Sequence, residues 1–116
     1  MQIQLTAPKI WLASEAVDFR CGVNRLSGYV INQLNQSMED QLFIFYNRAK
    51  NKVKCLARHR HGMILLYKQL HKKKFTLKHD ATGLIALDDK QLSWLLAGLD
   101  WVAMSDLPEP NYDDYF

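Results

Sequence analysis

Cationic side chains concentrate in one segment of this chain, residues 43 to 79. Such a concentration of positive charge could bind the phosphates of a nucleic acid. The segment holds eleven of the fifteen Lys and Arg residues, all four histidines and no Asp or Glu. Its formal charge is +11, whereas the rest of the chain carries −8. A surface that serves only solubility mixes both signs, so we predict DNA contact here. The predicted contact residues are Arg48, Lys50, Lys52, Lys54, Arg58, Arg60, Lys68, Lys72, Lys73 and Lys74.

Other residue patterns could do chemistry, but each has a simpler interpretation. His59 and His61 can share one face of a strand, as metal ligands do, yet no Cys, Asp or Glu lies nearby in the sequence to complete the site. Asp18 with Arg20 fits a loop ion pair or an Asx turn better than an acid–arginine site. Asp18 and Asp100 could pair as metal-binding carboxylates, although nothing in the sequence places them together. With no nucleophile motif or P-loop, the sequence predicts no catalytic residue, metal or cofactor.

The elements that must position the cations are β-strands. Apolar and basic residues alternate with a period of two, which predicts strands over Gln41–Tyr46, Lys52–Arg58, Met63–Leu70 and Phe75–Lys78. The turns between them are NRAKN, HRHG and HKKK. Three successive hairpins would make an antiparallel meander of four strands.

Alternation also predicts which side chains of the second strand share a face. Val53, Cys55 and Ala57 fall together, and the opposite face carries Leu56 with the cations Lys50, Lys52, Lys54, Arg58 and Arg60. We expect this basic face to be exposed. Tyr46 and Tyr67 could stack on bases, although aromatic residues in hairpins more often belong to the core.

Further elements complete an α+β domain. Lys9–Ser14 predicts a short N-terminal strand, and apolar residues at helical spacing predict a helix over residues 23–35. A second helix is expected over residues 89–98, with Asp88 and Gln91 forming a capping box and Gly98 ending it. The predicted order is β-α-β-β-β-β-α, in which both helices cover the one apolar face of the sheet.

Length and composition set the outer limits. With 116 residues, 48% of them hydrophobic, the chain suits a single domain, predicted over residues 1–103. Residues 104–116 form an acidic, aromatic tail that we expect to be extended or disordered. Its acids Asp106, Glu109, Asp113 and Asp114 are predicted to fold back over the basic face. The absence of a membrane-length apolar run, and of a signal-peptide pattern, predicts a cytoplasmic protein. Free thiols at Cys21 and Cys55 are then favoured over a disulfide between them, an alternative that the sequence alone leaves open.

Four blocks of sequence, in order and spacing, resemble a known family. They are IWLASEAVDFRCGVNRLSGYV, LFIFYNRAKNKVKCL, HGMILLYKQLHKKKF and ALDDKQLSWLLAGLDW, which span about residues 9 to 101. They are similar to the TnpB-type accessory proteins of the IS sixty-six class of bacterial insertion sequences. The matching positions are Asp18, Arg20, Gly22, Arg48, Lys54, Gly62, Lys68, Leu70, Gly98, Asp100 and Trp101. The sequence departs from the family pattern at Cys21, Ala57–Arg58 and Gln69.

The resemblance implies a small bacterial protein that is encoded beside a DDE transposase and is needed for efficient movement of the element. Two functions fit it. The chain could be an accessory factor that binds element ends or target DNA and is nucleoid-associated when bound. Alternatively, it could be a protein-interaction module that docks on the transposase of the same element without touching DNA. The sequence leaves the oligomeric state open.

Overall fold

The computed structural model describes residues 7–106, and eight regular elements lie within that range. In chain order they are β1 (Lys9–Ala13), α1 (Val23–Asn32), β2 (Gln41–Tyr46), β3 (Lys52–His59), β4 (Gly62–Gln69), β5 (Leu84–Leu87), α2 (Asp89–Leu96) and α3 (Trp101–Ser105). They form an α+β fold, as predicted. No helix among the described residues is long and apolar enough to span a membrane.

The strands form one mixed sheet in the order β4-β3-β2-β1-β5. Strands β2, β3 and β4 pair antiparallel in sequence order, which confirms a meander over the basic segment. β1 instead runs parallel to β2, and α1 makes the crossover between them. A parallel neighbour requires such a crossover because the chain must return to the end of the sheet where β1 begins before β2 can run in the same direction.

The predicted fourth strand, Phe75–Lys78, is wrong. These residues belong to no strand, and the fifth strand is β5, which pairs antiparallel with β1. The backbone N–H of Phe75 donates to the carbonyl of Lys50 at 2.7 Å, and the Phe75 side chain is buried. Phe75 and Leu77 pack against the core although residues 75–78 form no hydrogen bonds of a β-ladder. The alternation of apolar and polar residues here therefore reflects burial of every second side chain and not strand pairing.

Both faces of the sheet are covered, which corrects the prediction of one apolar face under two helices. On one face, Leu26 and Val30 of α1 pack against Phe43, Phe45 and Leu56. On the other, residues of α2 and α3 pack against a second set of strand residues. That set includes Leu12, Ile44, Val53 and Cys55, with Leu92, Leu95 and Trp101 from the helices. The central strand β2 is buried along its whole length for this reason.

Capping explains where the C-terminal helices start. The Asp88 carboxylate accepts from the Gln91 N–H at 2.8 Å, and Gln91 Oε1 accepts from the Asp88 N–H at 2.9 Å, which confirms the predicted capping box. Asp100 caps the start of α3, a helix that was not predicted, by accepting from the Ala103 N–H. The predicted domain boundary at residue 104 falls within α3. Of the predicted acidic tail, the stretch from residue 107 onward lies outside the described residues.

Candidate nucleic-acid interface

The cations of the basic segment divide between two ends of the sheet. The turn of residues 47–51 joins β2 to β3 at one end, and the turn at Arg60 and His61 joins β3 to β4 at the other. Since β3 and β4 have eight residues each, roughly 25 Å separate these turns. The prediction of a single basic face is therefore wrong, because the cations form two separate groups.

Backbone hydrogen bonds bring two basic stretches together at the first end. The N–H of Leu70 donates to the carbonyl of Asn51 at 2.9 Å, and that of Phe75 donates to the carbonyl of Lys50 at 2.7 Å. The lysines between Leu70 and Phe75 are thereby held beside the β2–β3 turn. We call this group the basic end, and its members are Arg48, Lys50, Lys52, Lys72, Lys73, Lys74 and Lys78.

Asn47 shapes the turn that presents two of these cations. Its side-chain oxygen accepts from the N–H groups of Asn51 and Lys52, at 3.1 and 3.0 Å, and its amide donates to Asn51 Oδ1 at 2.7 Å. Lys50 adopts a left-handed backbone with φ 63°. The turn leaves Arg48 and Lys50 exposed. Lys50 was predicted to share a face of β3, but it lies in the turn before that strand, so the alternation of side chains along β3 does not set its direction.

Lys54 is buried, so its predicted exposure is wrong. Only 8% of the residue is exposed, and its Nζ donates to the carbonyls of Phe19 and Cys21 at 2.7 and 2.8 Å. The same ammonium lies 4.7 Å from the centre of the Phe19 ring, within cation–π range. Alternation assigned Lys54 to the correct face, but the loop before α1 covers that face. Lys54 therefore holds this loop and is not accessible to DNA phosphates.

Lys68 and Lys73, the latter also a member of the basic end, lie at the C-terminal end of α2. Lys68 Nζ donates to the carbonyl of Leu96, and the Lys73 side chain lies against Gly98. The last carbonyls of a helix lack partners within it, and the helix dipole favours positive charge there. These two lysines thus stabilise the helix end as well as adding charge to the surface.

At the second end of the sheet, an acid from outside the basic segment neutralises one cation. Arg58 forms an ion pair with Glu39, which lies just before β2. Arg60 occupies the tight turn between β3 and β4 with φ 52° and is exposed beside His59 and His61. Among the described residues, no group of three His, Cys, Asp or Glu side chains is placed to hold a metal ion.

The motif residues Asp18 and Arg20 form an ion pair, as the sequence interpretation favoured. Arg20 donates to Asp18 through Nε, at 3.1 and 3.0 Å, and through a terminal nitrogen at 2.6 Å. These hydrogen bonds, with one from the Arg20 N–H, lower the pKa of the Asp18 carboxyl to about 2. The Val17 N–H donates to the Tyr46 carbonyl and fixes the loop beside the end of β2. Asp18 and Arg48 consequently line one cleft of about 420 Å³.

Asp18 and Asp100 do not form a carboxylate pair. Asp18 belongs to the loop on the α1 side of the sheet, and Asp100 caps α3 on the opposite side. The two tyrosines also differ in access. Tyr46 is buried, which together with Glu15 raises its pKa, so it belongs to the core. Tyr67 is 48% exposed, with its ring 6.0 Å from that of Phe19.

Three glycines fall in the family motifs, and Gly98 has a strict structural requirement. A Cβ at Gly22 or Gly62 would meet nothing within 4 Å. Gly98 has φ +76°, and a Cβ there would lie 2.9 Å from Lys73 Cε. Its N–H donates to the carbonyl of Leu95, and the next N–H donates to that of Trp94, as in a Schellman motif.

Replacing Gly98 by Ala should therefore lower the free energy of unfolding by about 1 to 2 kcal/mol, since a side chain in left-handed backbone costs that much. Urea denaturation followed by circular dichroism measures the change. Gly62→Ala, at an open position with ordinary backbone, is the control and should change stability by less than about 0.5 kcal/mol. Equal losses in the two variants would contradict a special role for Gly98.

Comparison with known proteins places these motifs in a family. A family model described as IS66 Orf2 like protein matches residues 8–106. "Uncharacterized protein y4hO" of Sinorhizobium fredii is 32% identical over 94 residues, which cover 80% of this chain and 82% of that protein. "Uncharacterized protein y4jC" of the same organism is 31% identical over 101 residues, or 86% of each chain. No solved structure matches the chain significantly. The chain belongs to the IS66 Orf2-like family, whose members are transposition-associated accessory proteins of IS66-type insertion sequences.

Proposed function

We propose that this protein assists transposition by binding DNA through the basic end. One observation carries the proposal: hydrogen bonds between the β2–β3 turn and residues 70–75 gather cations from separate stretches at one end of the sheet. Of the group, Arg48, Lys50, Lys72, Lys74 and Lys78 are exposed. Exposed cations at this density attract the regular negative charge of a DNA backbone and release its counterions.

The predicted contact residues contribute unequally to this proposal. Lys54 is excluded because it is buried, and Lys68 and Lys73 are partly engaged at the end of α2. Arg58 and Arg60 lie at the other end of the sheet, roughly 25 Å away by strand length. They would reach DNA only where a duplex extends along the β3–β4 hairpin. Lys78, which was not among the predicted contacts, joins the basic end.

A second candidate function is docking on the transposase. It is favoured by β4, an edge strand whose Met63, Ile64, Leu65 and Leu66 are only half-buried. Unpaired edge strands with apolar side chains readily accept another strand. In this alternative the basic end meets an acidic surface of the transposase and DNA is not touched.

Salt dependence separates the two functions. The purified protein should bind element-end and random duplexes alike in fluorescence anisotropy, and its affinity should fall steeply with salt. Changing Lys72 and Lys74 to Gln should flatten the plot of log K against log salt by up to about two units, because each phosphate contact contributes about 0.9. The expected loss of DNA affinity is the same for every DNA sequence, since phosphate contacts carry no sequence information.

The matched control removes the same charge elsewhere. Lys9 and Arg25 are exposed and lie outside the basic end, so changing both to Gln should leave the slope within about half a unit. An unchanged slope in the Lys72/Lys74 variant would show that the basic end is not the phosphate surface. Binding that requires the transposase would support the docking function instead.

A further inference from the structure

A small cleft opens where the parallel strands β1 and β2 end. Its volume is about 320 Å³, and its walls come from residues 14–16, from Tyr46 with the β2–β3 turn, and from residues 77–79. The carboxyl ends of adjacent parallel strands are a common place for ligands in sheets with crossover helices. The cleft lies on the α2 side of the sheet, whereas the cleft at Asp18 lies on the α1 side.

Ser14, which lines the cleft, carries an unpaired hydroxyl. The residue is only 2% exposed, and within the described part of the chain its Oγ is buried without a hydrogen-bond partner. A buried hydroxyl without a partner costs free energy, and a bound water or anion that completed its hydrogen bonding would remove that cost. The Ser14 backbone is fully used, because its N–H donates to the Gly83 carbonyl and its own carbonyl lies 3.0 Å from His79 Nδ1.

Cations surround the same cleft. Arg48, Lys50 and Lys78 all line it and are exposed, so each can turn its charge toward an anion inside. His79 lies beside them, held through Nδ1 against the Ser14 carbonyl, which leaves Nε2 for another partner. Three cations and a hydroxyl donor match the oxygens of a phosphate group better than a carboxylate, which has only two.

Glu15 is the opposing charge at this cleft. Its side chain lines the same space. The pKa of Tyr46 is raised first by burial of the phenol and second by the negative charge of Glu15. The Tyr46 phenol therefore stays protonated at neutral pH and remains a possible donor. Removing the Glu15 charge should strengthen the binding of an anion in the cleft. This change tests the site in the opposite direction from variants that remove a cation.

We propose that this cleft binds a phosphate group, either as inorganic phosphate or as the terminal phosphate of a DNA strand. The Ser14 side chain turns to a rotamer in which Oγ donates one hydrogen bond to a phosphate oxygen, and Arg48, Lys50 and Lys78 balance the phosphate charge. Phosphate binding here does not depend on the proposed DNA function, whereas the DNA source of the phosphate rests on it.

Inorganic phosphate is the first probe. Backbone amide NMR shifts of the whole protein would be followed at pH 7 during titration with sodium phosphate, against sodium chloride of equal ionic strength. Saturable shifts are expected at residues 14–16, 48–50 and 77–79. Ser14→Ala should weaken phosphate binding about tenfold while leaving the protein folded, because the hydroxyl makes no bond within the protein. Lys78→Gln should weaken it by a similar factor, and Glu15→Gln should strengthen it about threefold.

Lys9→Gln is the matched control, since it removes one exposed charge that lies outside both the cleft and the basic end, and it should change phosphate affinity less than twofold. Shifts that do not saturate, or equal affinity in wild type and Ser14→Ala, would overturn the proposal. The second probe is a pair of duplexes with 5′-phosphate or 5′-hydroxyl ends. Tighter binding of the phosphorylated duplex, lost in Ser14→Ala, assigns the site to DNA ends. Equal binding of the two duplexes, with inorganic phosphate still bound, assigns it to free phosphate.

Discussion

Replacing Trp101 by Ala is expected to lower the free energy of unfolding by about 4 kcal/mol, the largest effect of any change considered for this protein. Trp101 is 3% exposed and begins α3, where its ring joins the core between the sheet and α2. Truncation removes that apolar surface and leaves a cavity that the strands beside it can fill only in part. Urea denaturation followed by tryptophan-independent far-ultraviolet circular dichroism measures the loss.

The same side chain also positions the basic end. Trp101 Nε1 donates to the Thr76 carbonyl at 2.6 Å, and Thr76 lies in the stretch that carries Lys72, Lys74 and Lys78. Trp101→Phe keeps most of the ring and loses this hydrogen bond, so it should cost about 1 to 2 kcal/mol and still fold. It should also speed amide exchange of residues 75–79. A loss below about 1 kcal/mol for Trp101→Ala would show that α3 is not part of the cooperative core.

Lys54→Met is expected to lower the free energy of unfolding by about 2 to 3 kcal/mol. Methionine keeps most of the apolar stem of the side chain, although it is one atom shorter, and it cannot donate to the carbonyls of Phe19 and Cys21. An unsatisfied buried acceptor costs about 1 to 3 kcal/mol, and the cation–π contact with Phe19 is lost as well. Chemical denaturation measures the change, and faster amide exchange over residues 18–22 would locate it.

Lys72→Met is the control for this change, because Lys72 is exposed and its replacement should alter stability by less than about 0.5 kcal/mol. If Lys54→Met proves as stable as wild type, water must satisfy both carbonyls and the loop does not need the lysine. The expected loss follows from the burial of Lys54, which the sequence pattern placed on an exposed face.

Local signals in the sequence predicted part of this fold correctly. The bounds of β2 follow from a run of apolar residues between polar turns, and the start of α2 follows from the side chains of Asp88 and Gln91. The capping box joins side chains three residues apart, and the apolar run of β2 is bounded by turn residues next to it, so a local pattern records both features. The ion pair of Asp18 and Arg20 is local in the same sense.

Features set by distant parts of the chain could not be predicted in this way. Alternation assigns Lys54 to a face, but only the folded loop at Phe19 and Cys21 shows that this face is covered. β5 has four residues without alternation, so its pairing with β1 leaves no local signal. The cleft at Ser14 was missed because it combines residues from three separated segments, and only an unexplained buried serine marks it.

The position of β1 inside the sheet has a consequence for synthesis on the ribosome. β1 lies between β2 and β5, and its Ile10 pairs with Leu87, so one of its two ladders forms only with a strand from far along the chain. Pairing across such a separation is slow because the closure of a long loop precedes any gain from contacts. A nascent chain that has emerged only as far as β4 therefore exposes one side of β1 as an unpaired edge. A chaperone that binds extended apolar segments would protect this edge until β5 has been synthesised and pairs with β1.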